Sequence, residues 1–332
     1  MSKNKTPATP KAKAPADSVP VDASYGGNPD ATISDATVAA KPRAAAKTKP
    51  VDPGPPDEEV HQSVRPDSGY RPANADIPTS DKRMMIEATN LKKHFGKQKV
   101  LDGVTFGIPE GEITMIMGPS GTGKSVFLRH VVGLMFPDDG EIKVDGKSVP
   151  HLNNEDLLAL RQECGMLFQD GALFSSMSLF DNVAFPLRQH TNKGEKEISD
   201  IVYQRLKEVG LAGADKKFPN ELSGGMRKRA GFARALVMQP RILLIDEPDS
   251  GLDPVRTALL SELIREISEK YHCTTIIISH DVNRVRSVAD NLAVLYAGKC
   301  VAFGSQKEIW GNQDPFIQQF LVGAAQGPLG MD

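Results

Sequence analysis

The sequence predicts an α/β fold in which helices cover a parallel sheet. Three short apolar runs carry this prediction: Ile113–Met117 (ITMIM), Ile242–Asp246 (ILLID) and Thr274–Ser279 (TTIIIS). Their length and β-branched residues are typical of strands buried on both faces. A stretch of helical periodicity, Arg256–Tyr271, separates the last two runs, and strand–helix–strand order is typical of parallel strands. Residues 291–303 predict a hairpin that turns at Ala297–Lys299.

The first apolar run leads into a glycine-rich loop, and a helical stretch, Ser125–Leu134, follows the loop. The loop matches the pattern G-x-x-x-x-G-K-[ST]. Glycine lets backbone N–H groups surround phosphate oxygens without a Cβ in the way, and the next helix directs its positive N-terminus at the same anion. We expect Lys124 to reach the β- and γ-phosphates and Ser125 to bind Mg²⁺. The loop consists of Gly118, Pro119, Ser120, Gly121, Thr122, Gly123, Lys124 and Ser125.

The second apolar run ends in an acidic pair. Asp246 is placed to hold Mg²⁺, usually through water, beside a phosphate-binding loop. Glu247 is suited to orient the attacking water or to take its proton. A plain acidic strand end is the alternative, and the phosphate-binding loop upstream disfavours it. These motifs together predict a P-loop protein that binds ATP or GTP.

A third motif, Ser223-Gly224-Gly225 within LSGGM, forms a second candidate anion-binding helix start. One nucleotide needs one triphosphate cradle, so two cradles suggest two chains that face each other, each completing the site of the other. Taken alone, the motif is also compatible with an ordinary helix N-cap. About 24 residues before Asp246, it resembles the signature of ATP-binding cassette (ABC) proteins.

Further ABC motifs occur in order. Gln169, in LFQ, resembles the Q-loop glutamine, which ligates Mg²⁺ and senses its occupancy. Ser250–Asp253 (SGLD) resembles the D-loop, which crosses the dimer interface. His280 resembles the switch histidine that contacts the γ-phosphate. Phe95 stands where the family places an aromatic residue on adenine, although tyrosine is more usual there and a core phenylalanine is the alternative.

The resemblance covers residue 84 to about 305 and implies the following organisation. A RecA-like α/β P-loop NTPase core carries a helical subdomain at about 170–238, and the ATPase domain spans residues 83–310. ATP and Mg²⁺ are its expected ligands, and two ATP sites form in a homodimer. Lys124, Gln169, Glu247 and His280 are the predicted catalytic residues; Ser125, Gln169 and Asp246 are the predicted metal ligands.

The two ends of the chain differ from this domain. Residues 1–82 hold 13 of the 24 prolines and no Leu, Phe, Trp or Cys, so we expect a disordered tail. Its basic first 50 residues leave a membrane-surface role open beside that of a solvated tail. Residues 311–332 are expected to form a short helical extension, in which Phe316 and Phe320 either reach the second chain or fold back on their own domain.

Composition and charge exclude several classes of protein. The formal net charge is −2, so there is no global basic field for nucleic acid. We find no apolar run of 18 residues and no apolar stretch behind the basic start, which excludes a spanning helix and a standard secretory signal. Cys164, Cys273 and Cys300 form no CxxC pair, so a zinc ribbon or disulfide framework is not expected and a reducing cytosol fits.

Longer stretches resemble the MlaF and MceG (Mkl) ATPases of Mce lipid-transport systems. They are LFQDGALF (167–174), VAFPLRQH (183–190) and DEPDSGLDPVRTA (246–258). The last of these resembles the MceG ATPases more than the MlaF ATPases. Met226 departs from the general signature, where most relatives carry Gln. The resemblance implies a peripheral protein at the cytoplasmic face of the inner (plasma) membrane, with membrane contact through a YrbE/MlaE-type permease and with Mce-domain proteins in the same complex. Apolar residues after Gln169 then either receive a coupling helix of the permease or pack inside the helical subdomain.

The function predicted is thus the ATPase of an Mce-type importer of lipids such as fatty acids, sterols or phospholipids. An ABC transporter ATPase for another substrate is one alternative. A soluble ABC protein of DNA repair, translation or cluster assembly is another, disfavoured by a single cassette with only 53 residues between Gln169 and Ser223. Nothing in such a subunit touches the cargo, so the identity of the lipid depends on its partners.

Overall fold

The computed structural model describes residues 82–282, 287–324 and 326–328. The predicted tail lies outside the described residues apart from Lys82. The strands are β1 Met84–Phe95, β2 Gln98–Pro109, β3 Ile113–Met117, β4 Asp139–Val144, β5 Lys147–Ser148, β6 Cys164–Leu167, β7 Ile242–Asp246, β8 Thr274–Ile278, β9 Asn291–Tyr296 and β10 Lys299–Ser305. The helices are α1 Lys124–Val131, α2 Asn154–Gln162, α3 Leu179–His190, α4 Glu195–Glu208, α5 Gly224–Leu236, α6 Pro254–Tyr271, α7 Gln306–Gly311 and α8 Pro315–Val322.

The central sheet has the order β10-β9-β3-β8-β7-β6. Its strands β9, β3, β8, β7 and β6 run parallel, and only β10 pairs antiparallel, with β9. All five residues of β3 and of β8 are buried, as expected for strands covered on both faces. The α/β fold with a parallel sheet, the three apolar strands and the 291–303 hairpin are therefore confirmed.

A second, antiparallel sheet of order β2-β1-β4-β5 lies over the other face of the core. Alternate residues of the central strands divide the packing: Leu243 and Ile245 belong to the core shared with the helices after β6, while Ile242 and Leu244 join the core under the antiparallel sheet. The period of two along each strand produces this division. The phosphate-binding loop after β3 thus lies between two packed layers.

Helices α3, α4 and α5 pack on one another within residues 170–238, where a helical subdomain is predicted. Two of these helices begin at a side-chain cap: Ser178 Oγ accepts from the backbone N–H of Asp181 at the start of α3, and Ser223 Oγ accepts from that of Met226 at the start of α5. The boundaries at 83, 170–238 and 310 stay predictions.

The C-terminal helix α8 packs on its own domain. Asp314 caps it, and the ring of Phe316, which is fully buried, lies 4.6 Å from that of Tyr296. Phe320 packs partly buried against the same core. For Phe316 the structure gives the fold-back arrangement, because its buried ring leaves no surface for a second chain. Phe320 is only partly buried, so its contact with a second chain stays a prediction.

Candidate nucleotide-binding site

The phosphate-binding loop is packed too closely for side chains at two of its glycines. A Cβ on Gly118, whose φ is +149°, would lie 2.1 Å from the carbonyl oxygen of Leu295 on β9. A Cβ on Gly123 (φ +92°) would lie 2.6 Å from Leu101 Cδ2 and 2.9 Å from the carbonyl oxygen of Val100, both on β2. The two sheets therefore hold the loop from opposite ends, and its backbone keeps a fixed curvature. This is the preorganised arrangement that phosphate binding by backbone N–H groups requires.

The ammonium group of Lys124 lies inside this loop. Its Nζ donates to the carbonyl oxygens of Gly118 and Pro119, each at 2.8 Å, and the residue is almost fully buried. Burial lowers the pKa of Lys124, while the nearby carboxylates of Glu247 and Asp246 act in the opposite direction. Thr122 donates to the carbonyl of Pro119 as well, at 2.9 Å. The lysine is at the centre of the curve where phosphate oxygens are expected.

Ser125 and Asp246 meet at one edge of the loop, as the sequence predicts for metal ligands. Ser125 Oγ, in the first turn of α1, donates to Asp246 Oδ1 at the end of β7, at 3.2 Å. Burial raises the pKa of Asp246, while the hydrogen bond from Ser125 lowers it. A hydroxyl and a carboxylate oxygen are the hard donors that Mg²⁺ prefers, with water and substrate phosphates filling its other positions. The residues present therefore fit Mg²⁺.

Glu247 and His280 form a hydrogen-bonded pair beside these ligands. Nε2 of His280 lies 2.6 Å from Glu247 Oε1, and both side chains are partly exposed. The backbone of Glu247 is left-handed, with φ +46°, a conformation that costs about 1–3 kcal/mol in a residue other than glycine. Its backbone N–H donates to the carbonyl of Ile278 at 3.0 Å, which joins β7 to β8. With this backbone conformation, the carboxylate of Glu247 lies within hydrogen-bond distance of His280.

Gln169 lies elsewhere on the rim of the site. Its Nε2 donates to Ser250 Oγ in the D-loop at 3.0 Å. Between described residues, no hydrogen bond joins Gln169 to Ser125 or Asp246. Its predicted role as a Mg²⁺ ligand stays a prediction, which requires the amide to exchange this partner.

The signature turn is separate from the phosphate-binding loop within one chain. No hydrogen bond between residues of the described ranges joins Ser223, Gly224 or Gly225 to that loop. Ser223 and Gly225 instead line a cavity of about 580 Å³ together with Leu252 and residues of α6. This separation is what the two-chain interpretation expects, since each signature turn serves the site of the other chain.

Phe95 ends β1 and pairs with Gln98 across the turn of the β1–β2 hairpin. Phe95 is 46% exposed, so part of its aromatic surface is accessible to a planar ligand. The hairpin leads directly to Val100, which contacts the loop at Gly123. The alternative of a core phenylalanine is wrong for this residue; its role in stacking on adenine stays a prediction.

Two contacts at the site were not predicted. Lys228 on α5 reaches the backbone carbonyls that follow Asp246. Ser279 Oγ donates to Asp249 Oδ2 at 3.0 Å and so connects the residue after β8 with the turn that follows β7. A sequence signal exists for Lys228, because Phe232 and Ala235, four and seven residues further along α5, lie on its buried face. A lysine on that face must find acceptors inside the protein.

The comparisons with known proteins agree with this geometry. The family model described as ABC transporter matches residues 101–250. MlaF of Escherichia coli K12, an intermembrane phospholipid transport system ATP-binding protein, is 44% identical over 245 residues, which span 74% of this chain and 91% of MlaF. The chain belongs to the ABC transporter ATP-binding family. It is therefore an ABC transporter ATPase, the enzyme class that the motifs predict.

Other relatives of this ABC ATPase carry a different name. The probable ribonucleotide transport ATP-binding protein mkl of Mycobacterium leprae is 52% identical over 246 residues, or 74% of this chain and 71% of that protein. A second family model, described as an AAA domain, putative AbiEii toxin, Type IV TA system, matches residues 218–285. That shorter stretch contains the signature turn, Asp246 and His280, which are nucleotide-site motifs, so this match does not alter the assignment.

Solved structures support the fold and the dimer. The ATP-binding cassette MJ0796, in a dimeric post-hydrolysis state with ADP and Pi, shares 29% identity and a TM-score of 0.62, covering 67% of this chain and 98% of that one. CbiO1 of Clostridium perfringens, part of the CbiONQ transporter complex, shares 30% sequence identity and a TM-score of 0.64. The match covers 72% of this chain and 96% of CbiO1. ABC cassettes bind ATP, dimerise and pair with permeases. Within the described ranges, the ABC ATPase has no helix long and apolar enough to cross a bilayer.

Proposed function

We propose that this ATPase drives lipid transport by an Mce-type system, bound at the cytoplasmic face of the inner membrane to a YrbE/MlaE-type permease. The observation that carries the proposal is the 44% identity to MlaF over 91% of that protein, whose name states phospholipid transport. MlaF of Haemophilus influenzae is 42% identical over 93% of its length. The likeness therefore includes the permease-facing region as well as the ATP site.

Transport of ribonucleotides is a second candidate, because the mkl relatives carry that name at 51–52% identity. The ATP site does not distinguish the two candidates, since it binds ATP and not the transported substrate. We favour lipid transport because MlaF, whose name states phospholipid transport, is matched over 91% of its length, against 71% for the mkl protein of Mycobacterium leprae. The permease that binds this ATPase is consequently the partner to identify.

A groove beside the Q-loop supports docking of a permease helix. A cavity of about 350 Å³ is lined by Leu158, Phe168, Pro186 and Arg234, among others. Phe168 and Phe174 are 40% and 44% exposed. By contrast, Leu179 is fully buried in the helical region, so internal packing explains that residue. Exposed aromatic anchors around an open apolar groove suit an amphipathic helix.

ATP is held by the loop after β3 in this proposal. The backbone N–H groups between Gly118 and Lys124 bind phosphate oxygens, and Lys124 exchanges its two carbonyl acceptors for the β- and γ-phosphates. Ser125 and Asp246, joined by Gln169, would hold Mg²⁺, which supplies charge neutralisation on the phosphates. Phe95 covers the adenine ring.

Hydrolysis depends on the pair formed by Glu247 and His280. Glu247 orients the attacking water and accepts its proton, because its carboxylate lies at the end of β7 beside the ligands of the phosphates. His280 stabilises the charge that develops on the γ-phosphate. Ser223 of the partner subunit, with the partner's Gly224 and the partner's Gly225, closes the site from the second chain. ATP thereby closes the homodimer, and hydrolysis reopens it.

The test of the transport proposal is affinity purification from native membranes in mild detergent, followed by mass spectrometry. We expect a YrbE/MlaE-type permease and Mce-domain proteins. A variant with Phe168→Asp and Phe174→Asp should lose them while it still binds ATP. Val322→Asp, which alters an apolar residue at the far end of α8 that is 70% exposed, is the matched control and should retain them.

Other outcomes reject parts of the proposal. A different permease would reject the lipid assignment and would favour ribonucleotide or other transport. Absence of any membrane partner would favour a soluble ABC protein. ATP hydrolysis is tested separately with Glu247→Gln, which should bind ATP but lose nearly all turnover.

A further inference from the structure

Lys228 joins the signature helix to the segment that carries Glu247. It lies on α5, five residues after Ser223, and is 5% exposed. Its Nζ donates to the backbone carbonyl of Pro248 at 3.0 Å and to that of Glu247 at 3.4 Å. It also donates to the carbonyl of Ser250. One ammonium group therefore binds three of the four residues in the turn after β7.

This turn needs a donor at that point. Its first residue, Glu247, is left-handed at φ +46° and precedes a proline, and neither condition is favourable for its backbone. Carbonyl oxygens that converge on one buried point also repel one another unless a donor lies between them. A cation with three N–H donors satisfies such a cluster.

The other contacts of the turn come from different elements. The N–H of Glu247 bonds to Ile278 on β8, Ser279 bonds to Asp249, and Gln169 bonds to the hydroxyl of Ser250. Lys228 adds the contact from α5. The N-terminus of α5 is the signature turn, which in the closed dimer serves the second ATP site. The position of Glu247 in one site and the position of the helix that serves the other are thus joined through one side chain.

We propose that Lys228 is a positioning residue for hydrolysis. It fixes the backbone of residues 247–250 so that the carboxylate of Glu247 stays opposite His280, and it couples this geometry to α5. The inference rests on the proposed role of Glu247 as the residue that orients the attacking water. Lys228 itself touches backbone carbonyls and takes no proton in the reaction.

Steady-state ATP hydrolysis by the full-length chain tests this inference, with Lys228→Met as the variant. Methionine keeps an unbranched side chain and removes the donors. We expect kcat to fall at least tenfold while KM for ATP stays within threefold, because the phosphate-binding loop is untouched. Arg229→Met is the matched control: it removes the adjacent cation of α5, which donates to the carbonyls of Val209 and Gly210 at the end of α4. Its kcat should stay within twofold of wild type.

A second measurement separates positioning from folding. In the Glu247→Gln background, Lys228→Met should still form the ATP-dependent dimer in size-exclusion chromatography, since binding elements are intact. If Lys228→Met does not fold, as judged by thermal melting, Lys228→Gln replaces it; because its shorter, uncharged amide keeps two donors, we expect kcat to fall between threefold and tenfold with KM for ATP within threefold.

The inference is overturned if kcat of the Lys228 variant stays within threefold of wild type, if KM rises in parallel with the loss of kcat, or if Arg229→Met loses as much activity. Normal turnover in Glu247→Gln would instead reject the proposed role of Glu247. Loss of turnover in Glu247→Gln together with normal turnover in Lys228→Met would reject only the role of Lys228.

Discussion

Glu208→Gln is expected to destabilise the ABC ATPase by about 3 kcal/mol at neutral pH. Glu208 ends α4 and accepts hydrogen bonds from Arg205 at 2.7 Å, from Lys270 at 2.7 Å and from the hydroxyl of Tyr271 at 2.8 Å. The side chain of Arg205 is only 2% exposed. The carboxylate therefore compensates a buried guanidinium and joins the end of α4 to the end of α6.

The magnitude follows from the pKa of the carboxyl group. Burial of Glu208 opposes its ionisation, but the hydrogen bonds from Lys270, Arg205 and Tyr271 prevail and hold its pKa at about 2, against an ordinary 4.5. At about 1.36 kcal/mol per pH unit, this difference corresponds to about 3 kcal/mol. The side chain is 13% exposed, so solvent screens the interaction little. Because the pKa is lowered on folding, the stabilisation is complete above 4.5 and is lost as pH falls toward 2.

The assay is urea unfolding at pH 7 and at pH 3, followed by circular dichroism. The matched control is Glu195→Gln, which breaks an exposed pair with Arg188 and should change stability little. We expect the free energy of unfolding to drop for Glu208→Gln only, and its deficit to shrink to about half at pH 3. Equal stability of the two variants at pH 7, or a deficit that grows toward acid pH, would refute the reasoning.

Three further predictions concern the nucleotide site and its support. Lys124→Ala should weaken ATP binding at least tenfold in isothermal titration calorimetry, because charge-assisted hydrogen bonds contribute about 1.5–3 kcal/mol. Unchanged affinity would contradict the proposed contact of Lys124 with the ATP phosphates. Gly118→Ala should abolish ATP binding and lower the melting temperature, since its Cβ would lie 2.1 Å from the carbonyl of Leu295; a normal melting curve with normal binding would contradict this packing. Asn182→Ala should cost about 2–3 kcal/mol in urea unfolding, because this fully buried amide bonds the backbone of Phe174, Met177 and Ser178; a loss below about 0.5 kcal/mol would show that water replaces it.

The sequence predicts the central sheet well because its strands are uniformly apolar. Ile242–Asp246 matches β7 to the residue, and Thr274–Ser279 extends only one residue beyond β8. The antiparallel sheet of β1, β2, β4 and β5 was not predicted. In β1 the polar residues Glu87, Thr89 and Asn90 interrupt the apolar ones, and the pairing with β2 contains register shifts. Apolar and polar residues therefore do not alternate regularly along β1, and the sequence lacks the period of two that predicts a strand.

The phosphate-binding loop and the positions of Ser125 and Asp246 beside it follow from sequence motifs, whereas the contacts of Asp249 and Ser250 were not predicted. The loop motif fixes its own geometry locally, since glycine positions and a following helix determine where Lys124 and Ser125 lie. By contrast, the bond between Gln169 and Ser250 joins residues 81 positions apart. Lys228 likewise finds its acceptors only after α5 has packed beside β7. Contacts of this kind depend on tertiary placement, for which a single sequence carries no spacing rule.

Two polar groups that bind MgATP in the proposed mechanism, the ammonium of Lys124 and the amide of Gln169, already have protein partners in this structure. Lys124 donates to two carbonyls, and Gln169 donates to Ser250. Binding of MgATP then exchanges hydrogen bonds instead of creating them, so the net gain for each group is only about 0.5–3 kcal/mol. The exchange at Gln169 would also release the hydroxyl of Ser250, while Lys228 still binds the backbone carbonyls of Glu247, Pro248 and Ser250. Under the proposed mechanism, occupancy of the metal site, the position of Ser250 and the position of the signature helix would all act on residues 247–250, which Gln169 and Lys228 contact from two sides.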